Sequence, residues 1–152
     1  MDTIIIEDRI KKQKVARVIL EALPEWFGIP EAREDYITKS ADQIFIATYL
    51  DDNLAGFLCL EETGKDTIEL YVMGVRKEYH RKGIGGTLVS YAKRIAQEAG
   101  YSFLQVKTVQ MGRYPEYDGT NRFYLAQGFK ELEVFPNLWG EANPCQIYVM
   151  SL

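Results

Sequence analysis

A mixed α/β (α+β) fold is predicted, with a mostly antiparallel sheet of six to seven strands and helices on both faces. Three features predict it. Two apolar, strand-length runs early in the chain are joined by turn-type residues. A long strand then leads through a glycine-rich turn into the clearest amphipathic helix and on to another strand. Two further strand-like runs close the chain. Hairpins followed by a strand–helix–strand unit give a mixed sheet rather than an all-parallel one.

Ile4 to Ile6 reads as a short first strand. Val15, Val18, Ile19, Ala22 and Leu23 recur at helical spacing, which predicts an amphipathic helix over roughly 10–23, stopped by Pro24. Pro30 suits the first turn of a second helix reaching to about Lys39, with Glu31 and Glu34 favourable near its positive end. Residues 43–49 and 54–61 form a hairpin across Asp51-Asp52-Asn53. Gly64-Lys65-Asp66 makes the next turn, into a strand over 67–75. There Ile68, Leu70 and Val72 should face one side, and Glu69, Tyr71 and Met73 the other.

Residues 83–99 give the strongest helix, with Ile84, Leu88, Tyr91, Ala92, Ile95 and Ala99 in one stripe and Gly100 as its stop. A strand follows over 103–109. Gly112, Pro115 and Gly119 read as a loop, and a short helix is expected from about Thr120 to Gln127, ended by Gly128. Strands over 130–135 and 146–151 complete the order.

The 152-residue length fits one domain over 1–152 with one sizeable core. No apolar run approaches the ~20 residues of a membrane span, and the N-terminus lacks signal-peptide character, so no membrane partner is expected. The net charge of -4 disfavours nucleic acid as a partner and suits a cationic one, although mild acidity equally serves solubility. Cys59 and Cys145 are too few for a disulfide framework and read as buried thiols, pointing to the reducing cytoplasm. With His80 the only histidine, a zinc site and a Ser-His-Asp triad lack parts, so no metal is expected.

The segment carrying the chemistry is Tyr79-His80-Arg81-Lys82-Gly83-Ile84-Gly85-Gly86-Thr87, between a strand and a long helix. Glycine costs roughly 0.5–1 kcal/mol relative to alanine inside a helix. Three of them at a helix start need an offsetting reason. Without a β-carbon a ligand can approach the backbone N–H groups, which lack partners at a helix N-terminus and carry the positive end of the dipole. Arg81 and Lys82 add charge at the same spot. This describes a phosphate or pyrophosphate cradle; close helix–sheet packing is the plainer alternative. A Walker A loop is absent. The dinucleotide fingerprint fails too, because Leu88 stands where its last glycine should be.

This segment resembles motif A of the GCN5-related N-acetyltransferases (GNAT), Gln/Arg-x-x-Gly-x-Gly/Ala, here His80-Arg81-Lys82-Gly83-Ile84-Gly85 with His80 departing from the usual first residue. Asn121 to Phe129, Asn-Arg-Phe-Tyr-Leu-Ala-Gln-Gly-Phe, is similar to the family's second signature. The resemblance implies the GNAT fold and acetyl-CoA as acyl donor. It implies that the backbone at Arg81, Lys82, Gly83, Ile84, Gly85 and Gly86 holds the pyrophosphate, with Thr87 offering a hydroxyl. Met73, Gly74 and Val75 would pair with pantetheine like an added strand. Asn121 would hydrogen-bond its amides, and Tyr124 would protonate the leaving thiolate. On residue type alone, Tyr124 reads as a core aromatic and Asn121 as a cap.

The implied acceptor is an amine. A lysine-like amine has a pKa of about 10.4, so deprotonation at pH 7 costs about 4.6 kcal/mol, which a general base offsets in part. Glu69, eleven residues before His80 as is the base carboxylate of histone-acetylating relatives, is the expected base, against the alternative of a solvated or ion-paired strand glutamate; not all members of the family use a carboxylate there. Glu116 and Asp118 are weaker candidates for binding a cationic substrate. Trp26, Phe27, Tyr71, Tyr114, Tyr117 and Trp139 could line an acceptor pocket; surface packing or a homodimer contact would explain them equally. The expected acceptor is a small-molecule amine. The alternatives are a peptide N-terminus or lysine, or a catalytically silent acyl-CoA-binding module.

Overall fold

The computed structural model describes Met1–Leu152. Its elements run β1 (Asp2–Ile6), α1 (Arg9–Glu21), α2 (Pro30–Ser40), β2 (Ile44–Leu50), β3 (Asn53–Glu62), β4 (Thr67–Val75), a 3-10 turn (Lys77–Tyr79), α3 (Ile84–Glu98), β5 (Phe103–Val109), α4 (Pro115–Ala126), β6 (Lys130–Phe135) and β7 (Cys145–Ser151). Seven strands form one sheet in the order β1-β2-β3-β4-β5-β7-β6. β4 and β5 pair in parallel, while β1–β2, β2–β3, β5–β7 and β6–β7 pair antiparallel. The chain divides into two compact units, one of Met1–Glu61 with Tyr71–Ile95 and one of Glu62–Leu70 with Ala96–Leu152.

In the first unit, α1 and α2 cover one side of the hairpin. Val15, Ala16, Ile19, Leu20, Leu23 and Ile37 pack with Phe45, Ala47, Phe57, Cys59 and Val72 in a single buried cluster. Phe45 and Phe57 stack at 5.2 Å. Successive strand residues point to opposite faces, so Gly56 faces away from this cluster, toward Val75 and Ile84 at the start of α3. Both faces of this unit therefore meet a helix.

Two-residue alternation puts Val72 and Gly74 of β4 on the face toward α1. Val72 belongs to the α1 cluster. Gly74 also faces it, since a β-carbon there would lie 2.8 Å from Ile19 Cγ2 and 3.0 Å from Leu23 Cδ1. Met73 and Val75 alternate with them as half-buried residues, and Tyr71 is only partly buried against the cluster. Gly74 is what lets α1 approach the strand.

In the second unit, β5, β7 and β6 run as an antiparallel set with Val106 opposite Tyr148 and Lys107 opposite Ile147. β4 enters it in register from Thr67↔Phe103 to Leu70↔Val106. The helix expected from Thr120 begins five residues earlier, at Pro115. Proline is favourable at N1, and Glu116 and Asp118 occupy the first turn, where the helix dipole favours acids. Along α3, Ile84, Leu88 and Ala92 are buried as expected, but Val89 and Ala96 join them rather than Tyr91 and Ile95. No helix is long and apolar enough to cross a membrane.

Candidate active site

The glycine-rich segment lies at the N-terminus of α3, as its sequence requires. Arg81 has φ 62° and Gly83 φ 79°. Left-handed backbone is natural for Gly83 but costs a non-glycine residue such as Arg81 roughly 1 kcal/mol or more. These two residues turn the chain sharply from the 3-10 turn into the helix. Thr87 N–H closes onto Gly83 O at 3.0 Å. The N–H groups of Ile84, Gly85 and Gly86 are the first donors of α3, ahead of its intrahelical ladder. A β-carbon on Gly83 would meet nothing within 4 Å. Open space at Gly83, the positive end of the helix dipole and the exposed Arg81 and Lys82 together make a fit for a diphosphate.

The flanking side chains are more committed than the sequence suggested. His80 Nε2 lies 2.7 Å from Val75 O, and its ring stands edge-on to Trp26 at 6.1 Å. A carbonyl only accepts, so Nε2 carries a proton and donates to Val75 O. The same bond engages one lone pair of the Val75 carbonyl. Thr87 Oγ1 donates to Gly83 O at 2.9 Å, so its hydroxyl proton too is turned inward. Lys82 sits over the Tyr79 ring at 5.7 Å, and Lys77 pairs with Glu25. Met73 and Val75 are half-buried and Gly74 is buried.

Also in the first unit, Phe27, Tyr36 and Tyr71 form an edge-to-face row, each step 5.8 Å. Lys39 Nζ is 2.9 Å from Tyr71 Oη, a contact that, with Asp35, raises the lysine's pKa. Arg33 Nη1 donates to Phe27 O and steadies the α1–α2 loop. Of the expected aromatic residues, this unit gathers Trp26, Phe27 and Tyr71. Tyr36 was missed, because on α2 it reads as an ordinary helical aromatic. Tyr114 and Tyr117 pair at 6.2 Å in the second unit, while Trp139 is 42% exposed.

Glu69 lies in the second unit and is 3% exposed. Its Oε1 accepts from Gln105 Nε2 and from Lys107 Nζ, both at 3.0 Å. A carboxylate so buried needs such partners, since an unpaired buried charge is strongly unfavourable. Gln105 and Lys107 were not foreseen as its partners, although the parallel register Glu69↔Gln105 brings them together. Asp118 Oδ1 accepts the N–H of Gly112 at 2.7 Å, so it closes its own loop.

Asn121 is held from three sides. It is fully buried, and its Nδ2 donates to Val109 O at 2.8 Å and to Tyr117 O at 2.7 Å. Its Oδ1 accepts from Tyr148 Oη at 2.6 Å. Both amide protons meet carbonyls inside the protein. Tyr124, one turn later, is 5% exposed among Phe123, Phe129 and Tyr148. No group of three or more His, Cys, Asp or Glu side chains is arranged to hold a metal ion.

The chain matches the family model of the acetyltransferase (GNAT) family over residues 9–129. No curated protein sequence matches it. Among solved structures it is similar to a protein assigned to the GNAT acetyltransferases from Desulfovibrio desulfuricans, with TM-score 0.81 and 20% identity over 99% of this chain and 98% of that one. An IAA acetyltransferase from Bacillus cereus gives TM-score 0.77 and 17% identity, covering 99% of both chains. An aminoglycoside 6'-N-acetyltransferase complexed with coenzyme A gives 0.75 and 18%, covering 99% and 97%. At these identities the likeness is one of fold.

Proposed function

The chain belongs to the acetyltransferase (GNAT) family and is an acetyl-CoA-dependent acyltransferase, and from that premise we propose that it acetylates a primary amine of a small molecule by direct transfer in a ternary complex. The observation that carries this reading is the donor-rich turn from Arg81 to Gly86, whose left-handed Arg81 and Gly83 open the start of α3 to a diphosphate. Two of the similar structures belong to enzymes named for small-molecule acceptors, an aminoglycoside and IAA. The row Phe27, Tyr36 and Tyr71 supplies apolar surface suited to such an acceptor.

In the proposed reaction the neutral amine nitrogen attacks the thioester carbonyl carbon. The C–N bond forms, the C–S bond breaks, the amine's proton goes to a base and the departing thiolate takes a proton. Glu69 assists the first proton transfer. Its contacts with Lys107 and Gln105 fix the orientation of the carboxylate. Tyr124 supplies the second proton from its phenol.

Calorimetric titration with acetyl-CoA, followed by thiol release with kanamycin, tryptamine, spermidine and short peptides, tests the proposal. Micromolar binding with turnover of a small amine is expected. Turnover of peptides alone would overturn the acceptor class. Acetyl-CoA binding without transfer to any amine would mean that the chain carries the donor and not the proposed reaction.

A further inference from the structure

We infer that Tyr148, acting through Asn121, is a positioning residue that fixes the register of α4 and with it the hydroxyl of Tyr124; this rests on the proposed role of Tyr124 as the acid. The observation is a buried hydrogen-bond junction of three elements. Asn121 is on α4, Val109 ends β5 and Tyr148 lies in β7. Asn121 reaches Val109 O at 2.8 Å and its own helix at Tyr117 O at 2.7 Å, and receives the Tyr148 hydroxyl at 2.6 Å. Asn121 is 0% exposed and Tyr148 1% exposed. Within such a junction each bond depends on the others, because a buried amide that loses one partner has no water to replace it.

Tyr148 also touches the residue it would position. Its ring centroid lies 6.3 Å from that of Tyr124, tilted at 47°. Phe129 meets Tyr124 from another side at 5.6 Å, nearly perpendicular. Asn121 and Tyr124 are three apart on the helix and share a face. Rotation of α4 about its axis would therefore break the Asn121 bonds and swing the Tyr124 phenol together. A shift of about 1 Å in a reacting group can cost up to roughly 10²-fold in rate. A phenylalanine at 148 would fill nearly the same volume, so packing alone does not call for the hydroxyl. Burial raises the Tyr148 pKa, with Glu131 adding to it, which keeps the phenol protonated as a donor.

The test is a double-mutant cycle on Tyr148→Phe and Tyr124→Phe. It is read as turnover of acetyl-CoA with the fastest amine among kanamycin, tryptamine and spermidine, or with water if none is faster. Tyr148→Phe should lower kcat about tenfold while KM for acetyl-CoA stays within about twofold. In the Tyr124→Phe background the same substitution should cost nothing further, since the hydroxyl it positions is already gone. An equal loss in both backgrounds would assign Tyr148 a general structural role and overturn the inference, as would an unchanged kcat in the single variant. Unchanged turnover of Tyr124→Phe itself would instead remove the acid and the reading beneath the inference. If Tyr148→Phe does not fold, Asn121→Ser is read in the same cycle with the same criteria.

Discussion

Lys107 Nζ lies 3.0 Å from Glu69 Oε1, and the carboxylate it meets is 3% exposed. Removing one partner of a buried pair leaves the other charged and unpaired, which typically costs about 3–5 kcal/mol. Lys107 is 31% exposed along its side chain, so water softens that penalty. Lys107→Met is expected to destabilise the protein by about 2–3 kcal/mol in urea unfolding. The double variant with Glu69→Gln should recover most of it. A loss below about 0.5 kcal/mol would mean the pair is screened. Glu69→Gln alone keeps the Gln105 neighbour and should fold, but lose most turnover if Glu69 receives the amine's proton.

Gly85 separates ligand binding from stability. It sits in the first turn of α3, where aspartate is favoured by the dipole and by loss of glycine's backbone entropy. Gly85→Asp should therefore leave the melting temperature unchanged or raise it. In the proposed cradle the same carboxylate would repel a diphosphate and block its approach. Calorimetry should then detect no acetyl-CoA binding. A stable variant that still binds acetyl-CoA with unchanged affinity would put the diphosphate elsewhere. Gly83→Asp should lose binding too, with a stability penalty of about 1 kcal/mol for a left-handed aspartate.

What the sequence made legible was local. The strand, the glycine turn and the amphipathic run after it lie within about thirty residues, and their chemistry is short-range. The start of α4 was misjudged because Pro115 and Gly119 are loop signals by type, although Pro115 also suits N1; the anchoring of Asn121 to Val109 and Tyr148 was not legible at all. That anchoring joins residues 27 positions apart and leaves no periodic trace. Gly56 passed unnoticed for a similar reason. A β-carbon there would meet Gly74 O at 2.9 Å, a contact created only when β3 and β4 lie side by side. The His80–Val75 bond could be suspected from a five-residue spacing, but its direction depends on the turn at Lys77–Tyr79.

Gly74 offers a check on packing that is independent of chemistry. Its added β-carbon would press on Ile19 Cγ2 at 2.8 Å and Leu23 Cδ1 at 3.0 Å. Overpacking of this kind typically costs about 1–3 kcal/mol. Gly74→Ala should fall in that range by urea unfolding, and Ile19→Ala added to it should cost less than Ile19→Ala alone plus Gly74→Ala alone. Strict additivity would mean the contact relaxes elsewhere.

Cys145 provides a pH signature. Burial pushes its thiol from the ordinary 9.0 up to about 11, with Glu69 adding to the shift and Lys107 opposing it. Cys59, also fully buried, is displaced in the same direction by burial. A thiol held neutral in the fold contributes stability that is complete below the unfolded pKa near 9. Above that value the unfolded chain ionises first, so the contribution falls until the folded thiol ionises at about 11. Over that window, at about 1.36 kcal/mol per pH unit, Cys145 accounts for roughly 2–3 kcal/mol of lost stability. Urea midpoints measured from pH 8 to 11 should therefore fall more steeply for the native sequence than for Cys145→Ala, whose curve retains only the Cys59, lysine and tyrosine contributions. Parallel curves would show that Cys145 titrates alike in both states. Ellman's reagent at pH 8 should find neither thiol before unfolding and both after it, because each is buried and neutral there.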